Sequence, residues 1–362
     1  MNDLNREIIN EFNRESHDLF YSRTRRPFHV KRADAALNAN TDYGNGYNGV
    51  MFSAKWLAED MNLNSSETTE LRSLIDKTQK KHFGDNNPAD WWVLVLGDGD
   101  GMGNYVNGRK LKSYQNYIIE DLVNREGIDN ETWESLKRTR KRMGPATHVG
   151  LNRALLDFSN RIVNYITEER CCGKVIYSGG DDVMAALPLA DLPRYLISLR
   201  SAWCGGIDPE GEFNSSGGYW QWNNENPNQT PRPDDIPQRP LFTMGEEATM
   251  SLGIVIAHKS VPLPTVLEKI WDAEKERAKK LIGGRISEDE SIPDKDGLCF
   301  RVIYGSGNTL EAFMKGHLLE GWWNFINESQ KYENFDLSPV LYRLAEELPR
   351  RAEVTESDEL FH

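Results

Sequence analysis

Short apolar runs alternate with stretches of helical spacing along the 362 residues of the chain. Residues 91–96 are apolar throughout and predict a buried central strand over about 91–97. Two further runs flank Gly-Gly-Asp-Asp and predict a β-hairpin over 173–187, because glycine accepts a positive φ in a tight turn. Residues 250–257 predict a fourth strand, and residues 300–304 alternate like a final strand.

Helical spacing fills the intervals between these strands. A long helical stretch precedes the hairpin, with Thr147 as its predicted N-cap. Its apolar face carries Leu151, Leu155, Phe158, Ile162 and Ile166. Further helices are predicted at about 191–202 and 263–281. This order of elements predicts an α+β fold built on a ferredoxin-like β-α-β-β-α-β palm.

The palm is predicted to span residues 89–305, between two helical segments. Residues 1–88 form a polar N-terminal helical segment that ends at the turn Asn86-Asn87-Pro88. After Asn308, apolar residues recur at near-helical spacing. Residues 306–362 are therefore predicted as a C-terminal helical domain, a short bundle with a disordered acidic tail.

Two insertions interrupt the palm. The insertion at about 204–247 is rich in Gly, Asn, Pro and Gln, and a connection of this length is usually mobile or bound to a partner. Trp220 and Trp222 would favour docking if they are exposed, and packing against the palm is the alternative. The other insertion carries the basic run 137–142, which predicts either a solvated helix face or a contact with RNA phosphate or an acidic neighbouring subunit.

Composition narrows the class of protein. The net charge of −13 excludes a globally basic nucleic-acid binder, so any RNA contact must come from local basic patches. None of the four cysteines forms a CxxC pair, which makes a zinc ribbon improbable and reduced thiols the expectation. The sequence shows no apolar span of 18 residues and no signal peptide at its start, so we expect a soluble cytoplasmic protein with no membrane partner.

The candidate chemistry lies in two glycine-rich turns. Asp181 and Asp182 occupy the predicted hairpin tip, where like charges repel but where carboxylates would bind a hard cation such as Mg²⁺ or Mn²⁺. Asp98 ends the predicted central strand, and the glycines after it leave backbone N–H groups free for an anion. Together these carboxylates would share two divalent ions about 4 Å apart. A solvated acidic turn is the alternative for Gly-Gly-Asp-Asp taken alone.

These two turns carry a family resemblance. They resemble the second palm of the large polymerase/cyclase subunit of type III CRISPR effector complexes, a relative of GGDEF-type nucleotide cyclases. The matching motifs are Asp98-Gly99-Asp100-Gly101-Met102-Gly103 and Ser178-Gly179-Gly180-Asp181-Asp182. Residues 251–259 resemble the fourth strand of that palm, and Ala273-Glu274 with Ala278-Lys279 resemble the following helix. The similarity covers about residues 89–305.

The resemblance implies a metal-dependent nucleotidyltransferase that makes cyclic oligoadenylate from ATP when the assembled complex binds target RNA. The implied partners are the other CRISPR effector subunits, the guide RNA and the target RNA. One palm supplies only one face of such a site, so a second palm-bearing chain is also implied. Within the given residues we expect one palm, no zinc-binding domain and no HD nuclease site, since the pair His17-Asp18 has no further ligands in order.

Residue roles follow from the same resemblance. Asp98, Asp181 and Asp182 are predicted as catalytic metal ligands for two Mg²⁺ or Mn²⁺ ions, and the Gly99 carbonyl is a further predicted ligand. The predicted nucleotide contacts are the backbone of Asp100, Gly101, Met102, Gly103 and Asn104, together with Ser178, Gly179, Gly180, Ser251 and Lys279. Asp100 has two alternatives, a metal ligand or a cap for the following helix, and the alternative for Lys279 is a solvated helix lysine.

Two other classes of function remain open at this point. One is a stand-alone GGDEF-like dinucleotide cyclase, against which Asp182-Val183 in place of Glu-Phe argues. The other is a catalytically weak structural subunit of a guide-RNA complex. Products made from ATP or GTP, with and without guide and target RNA, would separate the three hypotheses.

Overall fold

The computed structural model describes residues 54–83, 90–215, 218–225, 231–285 and 291–329. The predictions for residues 1–53, for the boundary turn at 86–88 and for the acidic tail lie outside the described residues. The described chain begins with two helices, α1 (Ala54–Met61) and α2 (Ser65–Phe83). Asn64 and Glu67 accept each other's backbone N–H groups at 3.0 and 2.9 Å and so start α2 with a capping box. None of the helices described here combines the length and the apolar character needed to span a bilayer.

Eleven strands are described. They are β1 (Trp91–Gly99), β2 (Lys174–Gly179), β3 (Asp182–Pro188), β4 (Phe213–Ser215), β5 (Tyr219–Trp222), β6 (Leu241–Phe242), β7 (Met250–His258), β8 (Gly284–Arg285), β9 (Ser291–Ile292), β10 (Gly297–Ile303) and β11 (Thr309–Lys315). Six of them form one sheet in the order β11-β10-β7-β1-β3-β2. Within it, β1 runs antiparallel to both β3 and β7. The order β7-β1-β3-β2 is that of a ferredoxin-like palm, so the predicted fold class is confirmed, and β10 and β11 extend the sheet beyond β7.

The remaining helices follow the predicted order. They are α3 (Met102–Val106), α4 (Asn130–Arg138), α5 (Pro145–Asp157), α6 (Leu192–Cys204), α7 (Leu263–Asp272) and α8 (Leu319–Ser329). Two π-helical segments, Phe158–Ile162 and Tyr165–Arg170, carry on from α5, while a π segment and a 3₁₀ turn continue α7 to Lys280. The predicted N-cap Thr147 is wrong. The cap is Gly144, because the proline that follows it is already fixed at a helical φ and starts the helix there.

The two faces of the sheet bury different residues of the same strands. Leu94 and Leu96 pack with Val266 and Ile270 of α7, so even-numbered residues of β1 face α7. The odd-numbered residues face the side of α5 and α6, where Trp203 of α6 meets the ring of Phe158 edge-on at 4.8 Å. This alternation decides which side chains at the end of β1 reach each helix.

The helix predicted directly after Asn308 is wrong over its first turns. Residues 309–315 form β11, which pairs antiparallel with β10, so that Leu310 lies opposite Val302 and Met314 opposite Leu298. This pairing gives hydrogen-bond partners to the backbone N–H and C=O groups along the outer edge of β10. The free energy gained from these long-range contacts outweighs the local preference of residues 309–315 for a helix. A helix does form at α8, which belongs to a separate compact unit that begins at Leu318.

The insertion after α6 packs against the palm. Strands β4, β5 and β6 form a three-stranded sheet, and Trp220 and Trp222 are buried among Tyr165 and Phe213. Of the two readings offered by the sequence, the structure supports packing rather than exposed tryptophans. Burial of aromatic rings removes a large apolar area from water, which favours the packed arrangement.

Candidate functional site

Asp98 and Asp182 are cross-strand neighbours on the α7 face of the sheet. The pairing of β1 with β3 places Leu96 opposite Met184 and Gly97 opposite Val183, and Asp98 and Asp182 come one step further along the two strands. Because side chains alternate, Asp98 lies on the same face as Leu96, and Asp182 on the same face as Met184, which packs against the α7 cluster. The sheet register therefore brings together two of the predicted ligands.

The hairpin tip is a two-residue turn that approaches β1 closely. Gly180, its first central residue, has φ 65°, and the only other central residue is Asp181. A positive φ at the first position alone is the pattern of a type II′ turn, which favours glycine there. The carbonyl of Asp181 accepts a 3.3 Å hydrogen bond from the N–H of Gly99, so the turn is tied to the end of β1.

Mutual repulsion and burial shift the acid–base behaviour of the tip. Burial, a hydrogen bond with Asp98 and the negative charges of Asp98 and Asp181 raise the pKa of Asp182 to about 6. Burial also raises the pKa of Asp181, and the charge of Asp98 adds to the effect. A cluster of carboxylates with raised pKa values is short of positive charge, which is the condition that a bound cation relieves.

Lys279 supplies the positive charge that the cluster has in this structure. Its ammonium contacts Asp98 Oδ1 and lies 2.8 Å from Oε1 of the buried Glu274. Burial lowers the pKa of Lys279, but the hydrogen bonds to Asp98 and Glu274 outweigh that effect and raise it overall. Gly253 of β7 permits this approach, because a Cβ there would lie 2.8 Å from the backbone nitrogen of Glu274.

Asp100 points away from the hairpin tip. Its carboxylate accepts hydrogen bonds from the hydroxyls of Thr249 and Ser251, at 3.0 and 2.9 Å, and from the N–H of Asp296 at 3.0 Å. Burial raises the pKa of Asp100, although those hydrogen bonds oppose the shift. Asp100 does not cap the following helix: α3 begins after Gly101, and no side chain caps it. Ser251, a predicted nucleotide contact, is fully buried in this network.

The glycine-rich turn retains part of the predicted anion cradle. Gly101 has φ 69°, a value that favours glycine, and α3 follows it. The N–H of Asp100 donates to Thr249 O at 2.9 Å and the N–H of Asn104 donates to Gly101 O at 2.8 Å. Two of the five predicted amides are thus already used within the protein, and those of Gly101, Met102 and Gly103 are left as the candidate phosphate donors. Ser178 donates its hydroxyl to Ser159 O at 2.9 Å.

The donor set fits a divalent cation in its chemistry. Carboxylate oxygens are the ligands that Mg²⁺ and Mn²⁺ prefer, and the ammonium of Lys279 stands beside Asp98 in the role of a cation. In the described part of the chain, however, no three His, Cys, Asp or Glu side chains are gathered tightly enough to hold a metal ion. Asp98 and Asp182 are the residues that would hold an ion. The carboxylate of Asp181 would have to move towards them to become a third ligand.

Three residues that shape this site had no role predicted from the sequence. Trp203 packs against Gly99, Gly253 admits the end of α7, and Glu274 holds Lys279. Gly253 had a recognisable signal, because a glycine inside an apolar strand marks a close approach of another backbone. Trp203 had no such signal, since its proximity to the site depends on how the helices pack. Glu274 was recognised only as part of the helix that resembles the family, because its contact with Lys279 also depends on the fold.

Comparisons with known proteins agree with this fold. Residues 93–227 match the family described as Cas10/Cmr2, second palm domain. The chain is 24% identical over 255 residues to the CRISPR system Cmr subunit Cmr2 of Pyrococcus furiosus, and the match covers 70% of this chain. It covers only 23% of that relative, so the chain spans about a quarter of the length of the Pyrococcus protein.

Solved structures with a similar fold include two of the type III-B Cmr-beta complex. The apo complex contains a chain that matches 86% of this one with a TM-score of 0.47 and 16% identity. The complex bound to cognate target RNA contains a chain that matches 85% with a TM-score of 0.46 and 18% identity. In each, the match covers about a third of the larger chain.

Proposed function

Because the chain carries a second palm of the Cas10/Cmr2 type, we propose that it is a nucleotidyltransferase subunit of a type III CRISPR effector complex of the Cmr kind. Its proposed reaction is the conversion of ATP to cyclic oligoadenylate, with Mg²⁺ or Mn²⁺ as the metal. The observation that carries the proposal is the meeting of Asp98 and Asp182 on one face of the sheet, with Lys279 beside them.

Each residue has a proposed task in the transfer. Asp98 and Asp182 would hold two divalent cations, which when bound lower the pKa of an attacking ribose 3′-hydroxyl and stabilise the pyrophosphate that leaves. Lys279 would exchange Asp98 for a triphosphate oxygen, while Glu274 keeps its ammonium in place. The amides of Gly101, Met102 and Gly103 would hold the β- and γ-phosphates.

The proposed partners are other Cmr subunits, guide RNA and target RNA. The match to the Cmr subunit Cmr2 supports the Cmr partners, and the solved complex bound to cognate target RNA motivates the RNA partner. A single palm offers one face of a site for two nucleotides. We therefore propose that a second palm completes the site.

Purified protein incubated with labelled ATP or GTP and Mg²⁺ or Mn²⁺ tests the proposal, with and without Cmr subunits, guide RNA and target RNA. Cyclic oligoadenylate made only with target RNA is the expected result. A cyclic dinucleotide made from GTP without RNA would replace the proposal with a stand-alone cyclase. Absence of any product, together with tight binding to the ribonucleoprotein, would leave a structural subunit.

Matched variants connect the activity to this site. Asp98→Asn and Asp182→Asn are expected to reduce synthesis by at least about a hundredfold, since each removes a charge from a proposed metal ligand. Asp234→Asn, an exposed carboxylate in the insertion, is the control and should retain wild-type rates.

Lys279→Ala should raise the KM for ATP, whereas Lys280→Ala, which loses only an exposed pair with Glu276, should not. Full activity of Asp182→Asn would overturn the assignment.

A further inference from the structure

Two basic segments, residues 109–112 and 137–142, lie side by side in the segment that connects α3 to α5. Ser113 and Arg140 form an antiparallel bridge, and the N–H of Lys141 donates to Lys112 O at 3.0 Å. The guanidinium of Arg140 donates to the carbonyls of Leu111, at 2.8 Å, and Arg109. The bridge therefore joins 109–112 to the basic run 137–142, of which only the first two residues are helical.

Several of these charges belong to none of the ion pairs among the described residues. Lys112 pairs with Glu247 at 2.7 Å, and Lys137 pairs with Glu120 and Glu134. Among the residues that the structure describes, no carboxylate pairs with the side chains that we call the basic surface. They are Arg109, Arg138, Lys141 and Arg142. All except the half-buried Lys141 are exposed, so in an acidic protein they form a local site for a polyanion.

Aromatic rings border the basic surface. The ammonium of Lys141 lies 4.4 Å from the ring centroid of Tyr117, and the hydroxyl of Tyr117 accepts a 3.0 Å hydrogen bond from the N–H of Lys112. Tyr117 is 44% exposed, so a ring held in place at its hydroxyl still presents area to solvent. Stacking platforms combined with basic groups are the arrangement that binds single-stranded nucleic acid, because every base has a π-face.

A cavity of about 480 Å³ opens beside these rings. Tyr105, Tyr117, Lys110 and Lys112 line it on the side of the basic segments, and Glu246 and Glu247 line it from the turn before β7. Lys112 already pairs with Glu247 across this lining. Carboxylates repel phosphate but accept hydrogen bonds from the amino groups of bases. A base therefore suits the cavity, and phosphates suit the basic surface outside it.

The basic surface is connected to the candidate catalytic turn. The N–H of Lys110 donates to Asn104 O at 3.1 Å, which joins the first basic segment to α3. Burial raises the pKa of Tyr105 of α3, and the negative charges of Glu247 and Asp100 add to the shift. A strand of nucleotides on the basic surface would thus run towards the turn that follows Asp98.

We propose that the basic surface and its cavity bind a single-stranded oligoribonucleotide, with phosphates on Arg109, Arg138 and Arg142 and a base stacked on Tyr117. The choice of RNA over an acidic protein rests on the proposed function together with the aromatic platform. Two sources share this chemistry, the growing oligoadenylate and a guide or target strand, and the test separates them.

The test measures binding of the full chain to fluorescently labelled 12-nucleotide RNAs by anisotropy, using oligoadenylate in one arm and a mixed sequence in the other. The test variant is Arg109→Gln with Arg138→Gln and Arg142→Gln. Its matched control removes three exposed charges from α2 by Arg72→Gln, Lys77→Gln and Lys80→Gln. We expect at least a tenfold loss of affinity in the test variant, and a salt dependence of log K that is shallower by about 2, because each lost phosphate contact contributes about 0.7 on single strands.

A second variant, Tyr117→Leu, keeps an apolar side chain and removes the ring together with its hydroxyl. It should weaken RNA binding by at least about fivefold and leave the salt dependence unchanged, because stacking releases no counterions. Tighter binding of oligoadenylate would identify the product as the occupant, and equal binding a guide or target strand. Equal losses in the test and control variants, or tighter binding to polyglutamate than to RNA, would overturn the proposal.

Failure of this proposal is distinguishable from failure of the proposed catalytic function. Asp98→Asn is expected to keep wild-type RNA affinity while losing synthesis. RNA binding that survives in a chain without any synthetic activity would support the surface and reject the enzyme. The opposite result is full synthesis together with wild-type RNA affinity in the variant of Arg109, Arg138 and Arg142. It would support the catalytic function and reject the RNA-binding surface.

Discussion

The ring of Trp203 lies directly against the backbone of Gly99. A Cβ built at Gly99 would be 2.5 Å from Trp203 Cζ2 and 2.9 Å from the Cβ of Asp181. Trp203 is itself fixed, since its indole N–H donates to Thr249 O at 2.9 Å and its ring is almost fully buried. The absence of a side chain at Gly99 is thus what allows β1, α6 and the hairpin tip to meet.

Gly99→Ala is predicted to lower the free energy of unfolding by about 1–3 kcal/mol, because the added methyl overpacks a rigid contact. It should also displace the Asp181 turn and reduce synthesis. The control is Gly103→Ala, where a Cβ meets nothing within 4 Å. Urea denaturation of both variants checks the prediction, and equal stability of the two would contradict it.

Asp181→Ala combined with Asp182→Ala is predicted to leave stability unchanged or to raise it when chelator is present. Both carboxylates are partly desolvated and repelled by Asp98, so their removal relieves an unfavourable interaction. Thermal unfolding should also show that Mg²⁺ raises the Tm of the wild type but not of the double variant.

The contrasting control for that pair is Asp157→Ala. Asp157 binds the guanidinium of Arg239 at 2.6 and 2.8 Å, so its loss should lower the free energy of unfolding by about 1–3 kcal/mol. If the double variant is destabilised as strongly as Asp157→Ala in chelator, the aspartates of the tip are structural rather than metal ligands.

Asp100→Asn is predicted to destabilise the fold by about 1–3 kcal/mol with or without metal. An amide would turn a donor towards the hydroxyls and N–H that now donate to the carboxylate, and leave buried donors unpaired. Ser251→Ala should cost less when Asp100 is already asparagine, because the two residues share one network. A double-mutant cycle in chelator measures this coupling. Strict additivity of the two variants would count against the network.

Arg170→Met is predicted to destabilise the protein by about 3–5 kcal/mol and to loosen the insertion that follows α6. The guanidinium of Arg170 is fully buried and lies 2.8 Å from Asp208 and 2.7 Å from Glu212. The substitution would therefore leave both carboxylates without their cation. Arg277→Met is the control, because that arginine makes only a half-exposed 3.4 Å pair with Glu311, worth about 0–1 kcal/mol. Limited proteolysis within 204–247 should accelerate in Arg170→Met alone.

The apolar runs and glycine-rich turns predicted the strands of the palm correctly, because these patterns depend only on residues that are neighbours in the sequence. The apolar run before Asp98 became β1, and the glycine-centred turn became the β2–β3 hairpin. Alternation within β1 is also a local property, so the face on which Asp98 lies could be read from the residues on either side of it.

Contacts between distant segments could not be read in this way. The sequence alone determined that carboxylates end β1 and begin β3, and that glycines surround them. Only the tertiary structure decided that Asp182 meets Asp98, that Asp100 turns instead to Ser251, and that residues 309–315 join the sheet as β11. The physical reason is that strand register and helix packing depend on burial summed over the whole palm, which outweighs the small preferences of any single stretch.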